Sequence, residues 1–92
     1  MNITFNGRTY SHQGGGEMTQ DKLNAMDNLV TRCLAHGDLE LMGRQRKRIS
    51  PRLELFVHAN VNLKTITLVG QFYGKNHKQI PGQLIYTHTR RG

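Results

Sequence analysis

A chain of 92 residues and 10.5 kDa, 36% of them hydrophobic, has room for one domain with a modest core and excludes a large enzyme with separate cofactor and substrate domains. Thirteen Lys plus Arg against six Asp plus Glu give a net charge of +7 with histidines neutral and a pI near 10.2, which points to a polyanionic partner. No apolar run approaches the roughly 20 residues of a membrane span, and the opening MNITFNGRTY lacks the apolar stretch of a secretory signal, so an intracellular protein is expected.

Ile3-Thr4-Phe5, Asn6-Gly7 and Arg8-Thr9-Tyr10 spell a β-hairpin, because Asn-Gly supplies the positive φ angles of a two-residue type I′ turn. The implied register sets Phe5 opposite Arg8, Thr4 opposite Thr9 and Ile3 opposite Tyr10. Gly14-Gly15-Gly16 follows as a flexible connector, since no Lys-Ser/Thr pair and no G-x-G-x-x-G spacing makes it a phosphate cradle. A helix is predicted over 19–36. Thr19 is a suitable N-cap, Asp21 puts negative charge in the first turn, and Leu23, Met26, Val30, Cys33 and Leu34 recur on one face. Gly37 suits the left-handed C′ position. Cys33 reads as a small core hydrophobe; being alone, it forms no internal disulfide and no cysteine-built zinc site.

The stretch Asp38 to Met42 is too short to separate a strand from a helical turn. After Gly43 comes an arginine-rich loop, R-Q-R-K-R, with Pro51 as a break. Then the period changes to two: Leu53, Leu55, Val57 and Ala59 alternate with Glu54, Phe56 and His58, which describes a strand. Asn60-Val61-Asn62 reads as a turn. Leu63 to Phe72 and Gln83 to Thr89 are β-rich, separated by a basic loop over 73–82 that ends in Pro81-Gly82. The expectation is a single α+β domain over 1–92: an N-terminal β-hairpin, one amphipathic helix, then a three-stranded antiparallel meander with the helix packed on the sheet.

Charge divides unevenly along this order. Residues 1–43 hold three basic residues (Arg8, Lys22, Arg32) and five acidic ones, a net of −2, whereas residues 44–92 hold ten basic residues and one acid, Glu54, a net of +9. Mixed signs lower the self-repulsion of a surface, so a half with one acid marks a candidate face for a polyanion. The residues that would bind are Arg44, Arg46, Lys47, Arg48 and Arg52, with Lys75, Lys78, Arg90 and Arg91. Flexible cations suit phosphates, and arginine adds a planar fork that stacks on a base or grips a phosphate twice. The aromatic-x-aromatic signature of a common RNA module is missing and Phe72-Tyr73 is a weak substitute, so backbone contact or mixed protein–RNA contact is expected.

Catalytic patterns are sparse. The five histidines show no H-x-x-x-H spacing, there is no G-x-S-x-G elbow, and neither a metal nor a cofactor is expected. The enzyme class with most support is a ribonuclease, which needs only a base, an acid and a cation: Glu54 and His58 lie four apart on one strand face, with His88 and an arginine nearby. A helix followed by an antiparallel sheet is similar in element order to small microbial ribonucleases and RNA-cleaving toxins. The favoured reading of the same residues is that Glu54 offsets neighbouring arginines and the histidines are surface groups.

By its size, its α+β layout, its basic C-terminal half and a general likeness that includes MNITFNGRTY, the chain resembles the small phage anti-CRISPR proteins that act on the type I-F surveillance complex. No shared motif carries site residues over. The resemblance implies a non-enzymatic inhibitor, expected as a monomer in the host bacterial cytoplasm, that binds the assembly of Cas subunits and guide RNA and blocks hybridisation of target DNA. Many such inhibitors are acidic DNA mimics; the basic charge here implies contact with RNA and its surrounding subunits instead. The alternatives are the ribonuclease toxin and a general nucleic-acid-binding accessory protein.

Overall fold

The computed structural model describes residues 1–36 and 44–89. They form β1 (Asn2–Phe5), β2 (Arg8–Gln13), α1 (Gln20–His36), β3 (Arg44–Ser50), β4 (Leu53–Val61), β5 (Thr65–Tyr73) and β6 (Gln79–Thr89). The hairpin forms in the expected register, with Phe5 opposite Arg8 and Ile3 opposite Tyr10, and Asn6 and Gly7 both take positive φ, 51° and 76°. The helix also begins as expected: the Thr19 hydroxyl accepts a 3.3 Å bond from the Lys22 amide. Met26, Leu29 and Val30 are buried with Cys33, a free thiol in the core.

The expected architecture is corrected in its sheet. All six strands join one antiparallel sheet in the order β1-β2-β6-β5-β4-β3, in place of a separate hairpin and a three-stranded meander. Two differences produce it. The arginine run is a strand, not a loop: β3 pairs with β4 along its length, Arg46 opposite Phe56 and Arg48 opposite Glu54. As an edge strand it has one neighbour among the described residues, and charged side chains there discourage pairing with another chain, which fits its lack of the apolar alternation that marks β4. The hairpin in turn joins through β2 and β6, Ser11 opposite Ile85.

Smaller boundaries move as well. β4 runs through Asn60 to Val61, and the turn is held by the Asn62 carboxamide oxygen, which accepts bonds from the Lys64 and Thr65 amides. Pro81-Gly82 is a bulge inside β6, because the register jumps from Gln71–Gln83 to Phe72–Ile80. The glycine connector packs against that bulge: Gly14, Gly15 and Gly16 all have positive φ, and a Cβ on Gly16 would clash with the Pro81 carbonyl. The connector is therefore a built turn. The positions of Gly37, Asp38 to Met42 and Gly43 lie outside the described residues, as do Arg90 and Arg91.

The helix covers one face of the sheet only. Leu55, Val57, Ile66, Leu68, Phe72 and Leu84 are buried beneath it. Helix and sheet pack closely at Gly70, where a Cβ would stand 2.7 Å from Met26 Sδ and 3.1 Å from Leu55 Cδ1. Gly70→Val has no room there and is expected to lower stability by about 1–3 kcal/mol in urea unfolding, as overpacked cores do; an unchanged midpoint would contradict this packing. Lys22, although 7% exposed, donates to the Glu17 carbonyl at 2.9 Å and lies 5.2 Å above the Phe72 ring, so its charge is satisfied where its stem is buried.

A second fastening ties the hairpin to α1. Asp27, 4% exposed, accepts bonds from Asn6 Nδ2 at 2.9 Å, Arg8 Nη1 at 2.9 Å and the Tyr10 hydroxyl at 2.5 Å. Burial opposes its ionisation, but the bonds from Asn6, Tyr10 and Arg8 outweigh it and the carboxyl sits below its ordinary range. Tyr10 moves the other way, raised by burial and by its bond to the Asp27 carboxylate.

Candidate functional site

The face of the sheet that the helix leaves open follows from strand alternation. Leu55 and Val57 point to the core, so Glu54, Phe56 and His58 occupy the other side of β4. Their neighbours on that side are Arg46 and Arg48 in β3 and Val69, Gln71 and Tyr73 in β5. Further across, Gln83, Ile85 and Thr87 of β6 and Ser11 and Thr9 of β2 continue a mostly polar surface. No described element packs over it.

Charge and aromatic rings concentrate at one end of this face. Arg46, Glu54, Phe56, Tyr73 and His77 line an open cleft of about 360 Å³. Phe56 and Tyr73 meet edge to face, with centroids 6.4 Å apart and planes at 87°, and the Arg46 guanidinium lies 5.9 Å from the Phe56 centroid. Glu54 stands between two arginines, Arg46 Nε at 3.8 Å and Arg48 Nη2 at 3.5 Å. These are ion pairs too long for hydrogen bonds. The arginine side chains are 65% and 68% exposed, so water screens both pairs and they contribute little to stability.

His77 reaches the cleft from the loop between β5 and β6. That loop is a single 3₁₀ turn over Lys75–His77, closed by the Gly74 amide on the Lys78 carbonyl at 2.7 Å. Asn76 and His77 both take left-handed φ, 62° and 58°, which Asn and His tolerate better than most residues. The loop lies beside the β3–β4 turn, since a Cβ on Gly74 would contact the Arg52 carbonyl at 3.7 Å. Exposed Arg52, Lys75 and Lys78 therefore gather at the same end of the sheet as the cleft.

The cations singled out from the sequence are thus partly brought together. Arg46, Arg48, Arg52, Lys75 and Lys78 share one end of the molecule. Lys47 is opposite Leu55, on the helix-covered side of β3, and the backbone of Arg44 pairs with His58. Arg90 and Arg91 are outside the described residues. Of the aromatic residues near the cleft, Phe56 and Tyr73 stand on the open face in contact with each other, whereas Phe72 is buried. The signal was in the alternation: Phe56 is an aromatic at the outward phase of a strand whose inward phase is Leu55 and Val57.

The expected ribonuclease constellation is divided. Glu54 and His58 share the open face, but His88 is opposite buried Ile66, on the helix side. Among the described residues no group of three or more His, Cys, Asp and Glu side chains could hold a metal ion. No helix among them is long and apolar enough to cross a membrane. Compared with known proteins, the chain matches no family model, no curated protein and no solved structure.

Proposed function

We propose that the protein binds RNA on the open sheet face and acts by occupying that RNA, without catalysis. The observation that carries the reading is the coincidence, at one end of an uncovered sheet, of exposed arginines with a pair of surface aromatics. Arginine and lysine neutralise phosphates, and aromatic rings offer faces on which unpaired bases stack. The carboxylates Asp21 and Asp27 lie on the helix, away from this surface, so the polyanion meets its cations with Glu54 as the one acid among them within the described residues.

The resemblance to type I-F anti-CRISPR proteins supplies the particular assembly: a ribonucleoprotein of Cas subunits and guide RNA, in the host cytoplasm, kept from pairing with target DNA. Tagged protein recovered from cells containing that complex is expected to bring down one ribonucleoprotein. Bulk nucleic acid in its place would make the chain a general accessory binder, and recovery of no RNA would overturn the proposal.

One observation favours a second reading. Glu54 and His77 line the same cleft, the pairing of a carboxylate and an imidazole that strand cleavage through the 2′-hydroxyl requires. It entails RNA shortened on incubation with purified protein and left whole by Glu54→Gln; RNA intact with the unaltered protein removes it.

A further inference from the structure

Resting on the RNA-binding reading, we propose that the cleft between β3, β4 and β5 is a pocket for a guanine base, with Glu54 reading its Watson–Crick edge and Phe56 and Tyr73 walling its ring. Glu54 stands at the centre of the cleft's chemistry. Its side chain is 18% exposed, and neither carboxylate oxygen has a hydrogen-bond donor within reach among the described residues, the nearest cations standing at 3.5 Å and 3.8 Å. An ionised carboxylate accepts and never donates. A half-buried pair of acceptors in a cleft asks for a ligand with a pair of donors.

Among the four RNA bases only guanine meets that demand. Its Watson–Crick edge carries N1–H and N2–H side by side, two parallel donors at the spacing of two carboxylate oxygens. Adenine and cytosine place a ring acceptor beside their amino group, and uracil flanks its one N–H with carbonyl oxygens, so each would set an acceptor against Glu54. Unpaired bases are commonly read on this edge while stacked on aromatic or guanidinium planes. The cleft supplies such planes: the Phe56 ring, with Arg46 at its face, and Tyr73 at right angles to it. The Tyr73 hydroxyl donates to Gln71 Oε1 at 3.1 Å, which fixes that wall. A volume of about 360 Å³ is within the range of small-ligand pockets and admits one base. Arg48, Arg52, Lys75 and Lys78, around the same end, are placed for the phosphates on either side.

Fluorescence anisotropy with end-labelled RNA hexamers tests this, using UUGUUU, UUAUUU, UUCUUU and UUUUUU. The guanine hexamer is expected to bind roughly tenfold tighter than the others, the ratio that one bidentate base contact supplies. Inosine, which keeps N1–H and lacks the 2-amino group, should fall between. Glu54→Gln replaces one acceptor by a donor and removes a negative charge, so it should bind the other three sequences at least as well as before and lose the advantage of the guanine hexamer. Phe56→Ala should weaken the guanine hexamer most, with circular dichroism unchanged. Equal, salt-dependent affinity for all four hexamers would overturn the guanine pocket and leave the RNA-binding reading standing. A guanine preference that survives Glu54→Gln would overturn the role of Glu54, and binding to none of the hexamers would overturn both proposals.

Discussion

Replacing Asp27 by alanine is expected to cost about 3–5 kcal/mol of folding stability, the range for removing one partner of a buried charge pair. The substitution removes the acceptor of Asn6 Nδ2 and of the buried Tyr10 hydroxyl, and one of the two acceptors of Arg8 Nη1, which keeps the Thr31 hydroxyl. Tyr10 is fully buried and tilted against Tyr86 at 5.6 Å, so its hydroxyl cannot turn to water without opening the core. For a domain whose whole stability is about 5–15 kcal/mol, such a loss brings the chain close to unfolding. Urea titration reads the effect, and a change below about 1 kcal/mol would show that the hairpin is held by other contacts.

The same cluster sets the pH dependence. Asp27 is lowered in the folded state, so its contribution is fully present above the unfolded carboxyl value of about 4 and is lost as pH falls through the lower folded value. Tyr10 is raised, so its contribution is present below the unfolded phenol value of about 10 and is lost as pH rises beyond it. Stability should therefore fall on both the acid and the alkaline side, and Asp27→Asn should remove most of the acid limb.

The second large effect is on binding. Replacing Arg46 and Arg48 together by serine is expected to reduce affinity for single-stranded RNA and to flatten the plot of log K against log salt by about 1.4, each lost phosphate contact removing about 0.7. Lys47→Ser is the internal control. Lys47 lies in the same run but is opposite Leu55, on the helix-covered side, and its replacement should change the slope much less. Equal effects from Lys47 and the two arginines would mean that the run acts as an unstructured cationic segment, without the sheet face that divides it.

That division shows what could be read from the sequence. The hairpin register, the Thr19 cap and the inner phase of β4 are local features, fixed by turn chemistry, capping and alternation within a few residues. The strand β3 is not local: R-Q-R-K-R has no apolar phase of its own and becomes a strand because β4 offers it a free edge. The β2–β6 pairing, which unites hairpin and meander, joins residues some seventy positions apart in the chain and leaves no short-range signature. The site shows the same split. Arg46, Arg48 and Glu54 stand out by charge alone, whereas the partnership of Phe56, Tyr73 and His77 needs the β4–β5 register and a left-handed loop.

Amide chemical-shift mapping of the protein titrated with a single-stranded RNA hexamer locates the binding surface directly. Shifts confined to Arg46, Arg48, Glu54, Phe56, Gln71, Tyr73 and the Lys75–Lys78 loop, with the exposed side of α1 unmoved, are the expected result. Shifts centred on α1 and the β1–β2 hairpin, or none at saturating RNA, would contradict it.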